Sequence, residues 1–502
     1  MHEGKSSLVE ENSFLKDEVK RLHNIILLLK RYKFGSKSEK IEDIPGQLLF
    51  NEIEKEASKL LPVELEKITY TRKKGRGKKK PYPDHLPREE KIIDLKEEEK
   101  ICPHDGEKFK QIGEERKEKL KTIPAQMSIV VEVVKKYACP CCESYMAQPK
   151  VNSILPGTIA TPELLSFIIF SKFFQGLPLY RIEELFKLNS IILSRGTMAR
   201  WLVKVKEPLI PIYNLLQDMA FENGYMCIDA TSVQVLKEAG RKPQDKSFMW
   251  ARGSPELGIV LFDYDVSGGG QVAKQLMAGF KGALQADAHR GYGALDKNDL
   301  LLLGCLMHAR RRFHNAWLVG EKKPGLAADA LASFKFLYDK EETYKKLTPQ
   351  ERKARRDEEI APSLEAIKEW ATMHIPKVPK SSELGNALHY YVNEYEELSA
   401  FLADGRYEID NGWLERTIRK FAIGRNNWLF CDTVDGAHAS SLLYSLVITA
   451  KLNGKDPFKV MTEIFEKLPH AKTAEDYEKL TALLLSPDNS NSCRKKEGAL
   501  IQ

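Results

Sequence analysis

Residues 224–236 read GYMCIDATSVQVL, and the reading of this stretch decides the fold. A run of apolar residues, Met226 to Ile228, leads into one acid, Asp229, and then β-branched residues alternate with polar ones to Leu236. That pattern predicts a strand. Downstream, a polar loop with Gly240 and Pro243 precedes a second expected strand, Lys246 to Gly253, and a third, Gly258 to Val266. Gly268 to Gly270 break the chain; Gln271 to Phe280 read as a helix, Gly282 to Asp287 as a fourth strand and Leu300 to Leu306 as a fifth, running into a helix from His308.

Three strands on short loops, followed by alternating strand and helix, match a ribonuclease-H-like core, a mixed sheet with helices on its faces. In that order strands one and four are neighbours, so Asp229 and Asp287 converge although 58 positions separate them. An unpaired acid in an apolar strand is costly, and convergent hard oxygens suit two Mg2+ or Mn2+ ions. The best third carboxylate is Glu415, one turn into a helix that Asp410 or Asn411 caps. Asp410, five residues away, would have its carboxylate occupied by the cap. Arg416 and Arg419 share a face near Glu415 and suit phosphate. Each acid also has a plain structural reading: a strand-edge carboxylate, a turn former, a partner for Arg419.

Outward toward the N-terminus, residues 151–220 read as helical and DNA-binding. Thr161 and Pro162 start one helix, Leu179 to Leu188 form another, and a turn leads to a helix from Ser194 to Val205. In a helix-turn-helix, Arg195, Thr197 and Arg200 would lead into the major groove; a plain helical hairpin has the same spacing. Residues 91–150 read as a zinc module, with Cys102-Pro103-His104 and Cys139-x-x-Cys142 bracketing an alternating stretch, Met127 to Val134, that reads as a strand. Cys102, His104, Cys139 and Cys142 are the expected ligands of a structural Zn2+, with Asp105 and Cys141 as substitutes.

Residues 41–90 form an expected basic linker. Within it, residues 71–80 read TRKKGRGKKK, seven of ten basic, and Lys73, Lys74, Arg76 and Lys78 are candidate phosphate contacts. In residues 1–40, Leu8, Leu15, Leu22 and Leu29 with Asn12, Val19 and Ile26 set out a heptad seam for a parallel coiled-coil dimer. The 502 residues imply several domains. A 42% hydrophobic and 30% charged composition with net charge +7, no long apolar run and no signal-like start imply a cytoplasmic, nucleoid-associated protein with no membrane partner.

These pieces resemble, in order, the insertion-sequence sixty-six transposases (TnpC type) of the two-aspartate-plus-glutamate superfamily. The resembling stretches are RYKFGSKSEK from Arg31, CPHDG from Cys102, KYACPCCE from Lys136 and IDATSVQV from Ile228, then LQADAHRGY from Leu284, GCLMHARRRF from Gly304 and EIDNGWLERTIRKFAIGRNNWLF from Glu408. The first zinc knuckle departs from a clean CxxC. The resemblance implies a multidomain α/β protein with a ribonuclease-H-like catalytic core carrying Asp229, Asp287 and Glu415. It implies core segments at 221–318 and 406–435, a helical insertion at 319–405 and a helical region at 436–502. It further implies binding to transposon ends and target DNA, strand cleavage and strand transfer, and small accessory proteins of the same element. A nuclease that does not transpose and a regulatory relative that no longer cleaves are the alternatives. Arg310 and Arg311, in the His308–His314 cluster, are candidate phosphate ligands beside the metals.

Overall fold

The computed structural model describes residues 127–131, the strands at 137–138 and 146–147, and residues 152–287 and 299–487. The expected heptad segment, the expected basic linker with Lys73, Lys74, Arg76 and Lys78, and the expected zinc ligands Cys102, His104, Cys139 and Cys142 lie outside the described residues. The chain divides into two units, residues 36–149 and the remainder.

In the smaller unit β1 (Tyr137–Ala138) and β2 (Met146–Ala147) pair antiparallel. Residues 127–131 carry no regular structure, where alternation predicted a strand. Ile129, Val130 and Val131 are all exposed, so no layer covers an alternating face there, and alternation alone does not hold a strand.

The larger unit opens with α1 (Pro162–Ile169), whose cap Thr161 accepts the Leu164 N–H, and which continues as a wider turn over Phe170–Phe174. Then come α2 (Leu179–Leu188) and α3 (Arg195–Glu222), the latter capped by Ser194. The helix expected to stop at Val205 runs on through Pro208 and Pro211. Val205, Leu209, Ile212, Leu216 and Met219 recur at helical spacing and are buried. Burial contributes about 1.5–3 kcal/mol per such side chain, enough over five residues to offset ~3 kcal/mol for each interior proline.

The sheet follows: β3 (Tyr225–Lys237), β4 (Lys246–Ser254), β5 (Ile259–Asp265), α4 (Gly270–Leu276), β6 (Gly282–Gln285) and β7 (Leu300–Leu303). The strand order is β5-β4-β3-β6-β7, antiparallel through β5, β4 and β3 and parallel through β3, β6 and β7. The helix expected to reach Phe280 ends at Leu276, and the fifth strand gives way to α5 (Leu306–Val319) two residues before His308. A helical segment comes next: α6 (Leu326–Tyr344), α7 (Pro349–Arg355), α8 (Ala361–His374), α9 (Glu383–Asn393) and α10 (Tyr395–Ser399). The chain then returns to the sheet with α11 (Gly412–Trp428) and β8 (Cys431–Thr433), and closes with α12 (Val434–Leu452), α13 (Pro457–Lys467) and α14 (Ala474–Ala482).

Two stretches of strand backbone left without a strand partner are finished by side chains. Helix α12 is buried along nearly its whole length. Its Ser445 and Thr449 hydroxyls accept the N–H groups of Phe262 and Val260 on edge strand β5 at 2.7 and 3.1 Å, so that edge presents no open donors there. The second case is β3. Its start pairs with β6 and its end, Val235 to Lys237, pairs with β8. Among the described residues no strand pairs with the stretch between them on that side. Helix α11 supplies the partners instead: Asn411 at its start donates to the Ile228 carbonyl at 3.1 Å, and Arg425 donates to the Ser232 carbonyl and to the Thr231 hydroxyl. Asp229 lies in this interval. Among the described residues no helix is long and apolar enough to cross a membrane.

Candidate metal centre

The parallel register of β3 and β6 sets Cys227 opposite Gln285. Two residues on are Asp229, still within β3, and Asp287, just past the end of β6, so both leave the sheet at the same end. Asp229 is half-buried and accepts the N–H of Ala230 at 2.7 Å. Burial, with the nearby charge of Asp287, pushes its carboxyl up to about 6, against the weaker pull of the Ala230 N–H and of Arg311.

Glu415 comes from the first turn of α11. Burial raises its carboxyl, and Asp229 adds to the rise while His308 and Arg311 oppose it. His308 on α5 stands between the acids: its Nε2 is 3.7 Å from Asp287 Oδ2 and 3.7 Å from Glu415 Oε1. Arg311 Nη2 is 3.5 Å from Glu415 Oε2 and is half exposed. Asp410 has other employment, accepting the Gly412 N–H at 2.8 Å and the Tyr338 hydroxyl at 2.8 Å. Asn411 occupies the cap position without a side-chain cap bond, its amide being committed to β3.

A divalent cation suits this donor set. Glu415 Oε1 and His308 Nδ1 are buried with no hydrogen-bond partner, a costly state for polar atoms unless something is to be bound. Asp229, Asp287 and Glu415 offer hard oxygens, the ligand type of Mg2+ and Mn2+. Cys305 has its thiol within 4.8 Å of ligand atoms of His308 and Glu415. It is wholly buried, accepts the Asn411 N–H, and burial drives its thiol well above the usual range. Mg2+ and Mn2+ favour oxygen over sulfur ligands, and the Cys305 sulfur already accepts the Asn411 N–H, so Cys305 is read as part of the packing.

The other expected site residues spread outward. Arg416 is exposed and Arg419 half-buried on α11, and Arg310 is half-buried on α5. Arg195 and Arg200 are exposed at the start of α3, with Thr197 taken up locally by Ser194 and Arg200. This group is separate in the chain from the acids. Sequence reasoning treated His308 only as part of a basic cluster. Its spacing from Arg311 and Arg312 gave no sign of a place between two carboxylates.

Comparison with known proteins accounts for the layout. A model described as "Transposase IS66 family" matches residues 157–439. The chain belongs to the IS66 transposase family. Three further models of that family match around the first: "Transposase C of IS166 homeodomain", a leucine-zipper model, over 21–90; "zinc-finger binding domain of transposase IS66" over 99–143; and "IS66 C-terminal element" over 445–482. This IS66-family chain thus carries leucine-zipper, zinc-finger and acidic-triad transposase regions in that order, and the family implies a divalent-metal site and zinc. Among similar proteins, "Uncharacterized protein y4jD" of Sinorhizobium fredii is 29% identical over 407 residues, 78% of either chain. "Uncharacterized protein y4qI" of the same organism is 26% identical over 494 residues, 94% of this chain and 90% of that one.

Proposed function

We propose that this chain is an active DNA transposase whose Asp229, Asp287 and Glu415 hold two Mg2+ or Mn2+ ions on a ribonuclease-H-like core, and that it cleaves insertion-sequence ends and joins them to target DNA. The observation that carries the reading is Glu415 Oε1, buried without a hydrogen bond, 3.7 Å from His308 and close to Asp229, whose neighbour strand leads to Asp287. Support for the core comes from the strand order, with three antiparallel strands and then two parallel ones on the opposite edge of β3.

Bound ions would supply positive charge at the attacking and leaving oxygens of a phosphodiester. The chain's own residues do the rest. Asp229 and Asp287 fix one side of the site from the sheet, and Glu415 closes it from α11. Arg311, with Arg310, Arg416 and Arg419, receives the phosphate backbone on the open side. Water attacks phosphorus, the bond to the 3′ oxygen breaks, and the freed 3′ hydroxyl then attacks a target phosphodiester with loss of that strand's own 3′ oxygen.

Transposon ends are read by α2 and α3 through Arg195, Thr197 and Arg200. The basic segment with Lys73, Lys74, Arg76 and Lys78 adds contacts without sequence preference. Cys102, His104, Cys139 and Cys142 hold a structural zinc, residues 8–30 pair two copies, and accessory proteins of the element assist the complex at the nucleoid. The segment boundaries proposed are 1–40, 41–90, 91–150, 151–220, 221–318, 319–405, 406–435 and 436–502.

The test is to incubate purified protein with labelled DNA from the element's termini, with and without Mn2+. Metal-dependent nicks that D229N and D287N abolish are expected, followed by joined products. Cleavage without joining would leave a nuclease; binding with no cleavage by the unaltered protein would leave a regulator.

A further inference from the structure

The three acids are not held alike. Asp229 is inside β3, where its residue pairs with Ala251 and its carboxylate accepts the next N–H. Glu415 is inside a helix. Asp287 lies two residues past the end of β6, and the last sheet bond before it joins the Ala286 N–H to the Leu303 carbonyl. Among the described residues, side chains hold its carboxylate. Its Oδ2 faces His308, and its Oδ1 accepts the hydroxyl of Tyr390 at 3.2 Å. Tyr390 is not a core residue: it comes from α9 of the helical segment, 103 positions further along.

We propose that Tyr390 is a positioning residue for Asp287, so that the helical segment completes the carboxylate site; the inference rests on those acids being metal ligands. The phenol is itself held. The Arg312 guanidinium lies 4.0 Å from the centre of its ring, and Arg312 is one helical turn from His308 on α5. Aromatic contacts of Phe334 with Phe313 on α5 and with Tyr391 on α9 tie the same helices together. A second phenol of the segment, Tyr338 on α6, donates to Asp410, whose other oxygen accepts the Gly412 N–H at the start of the Glu415 helix. The segment therefore reaches both the end of β6 and the start of α11. Donors that orient a ligating carboxylate tune its affinity for metal, by about 10–100-fold where they are removed.

The test measures Mn2+ affinity of the full chain by electron paramagnetic resonance, with thermal melting in EDTA alongside. Y390F should bind Mn2+ about 10-fold more weakly while melting in EDTA as the unaltered protein does. R312M, which keeps the phenol but frees its ring, should show a smaller loss. Y391F is the contrast: Tyr391 is buried and donates to the Leu364 carbonyl at 3.2 Å, so that variant should melt earlier with Mn2+ affinity unchanged. D287N should lose the site. Unaltered affinity in both Y390F and R312M, with D287N defective, overturns the role of Tyr390 and leaves the metal site standing. Unaltered affinity in D287N removes the metal site itself, and the role of Tyr390 with it.

Discussion

Glu341 and Glu415 are both acids withdrawn from water, and the molecule treats them oppositely. Glu341, in the helical segment, accepts Arg356 Nε at 2.7 Å and Arg352 Nη2 at 2.9 Å, and Arg352 also reaches Glu408 at 3.0 Å. Burial pushes the Glu341 carboxyl up, but the two arginines outweigh it and hold it below the usual range. Glu415 has one arginine near its outer oxygen, an inner oxygen with no hydrogen bond that lies 3.7 Å from His308, and aspartates for neighbours, and burial raises its carboxyl. The first cluster is neutralised from within. The second is left short of positive charge, as a site should be that takes its cations from solution.

The largest effect expected from this contrast is in the closed cluster. Arg356 is wholly buried and also donates to the carbonyls of Asp404 and Tyr407. R356A strips Glu341 Oε1 of its donor and leaves Arg352 alone to balance the buried charge, and it should cost about 3–5 kcal/mol in urea unfolding. A cost below about 1 kcal/mol would remove the distinction between the two clusters.

In the open cluster, taking away a charge should help. The Asp229 carboxyl rises from 3.8 to about 6, so the folded chain binds that proton more tightly than the unfolded chain does. Its contribution is whole below about pH 4 and is lost as pH rises through about 6. In EDTA at pH 8, D229N should therefore be more stable than the unaltered protein by about 2–3 kcal/mol, and the gap should close toward pH 4. A constant gap across that range would show that burial and Asp287 do not act on Asp229 as described.

Mn2+ should reverse the order. At a thousand times its dissociation constant, a ligand bound only by the folded state stabilises by about 4.1 kcal/mol, more than the D229N advantage. Differential scanning fluorimetry at pH 8 should show that gain in the unaltered protein, a smaller gain at pH 5, and none in D229N. An equal gain in D229N would place the metal elsewhere. The smallest effect belongs to D410N, because Asn still accepts the Gly412 N–H and Tyr338 can reverse its hydroxyl; unfolding should change by under about 1 kcal/mol. A larger loss would mean that the Asp410 charge itself matters.

Much of the core was legible because it rests on local pattern. The β-branched run after Gly224 and the glycine break at 268–270 announce strands and a turn, and the placement of Asp229 and Asp287 at one end of the sheet follows from the strand order. What could not be read depends on contacts distant in sequence. Cys431–Thr433 is too short to announce itself as a strand, and it pairs with β3 across almost 200 residues. Pro208 and Pro211 argue for a helix end that the buried side of α3 overrules. Nothing in the charged segment after His308 marks Tyr390 or Tyr338 as reaching an acid of the core, since a phenol there looks like any other packing residue.

Whether Glu415 rather than Asp410 completes the acidic site is decided by cleavage of terminus DNA in Mn2+ by E415Q and D410N side by side, with end binding measured in EDTA. E415Q should bind the ends as the unaltered protein does and make no nicks, while D410N should keep most of its cleavage. Nicking by E415Q together with loss of cleavage in D410N would contradict the assignment of Glu415.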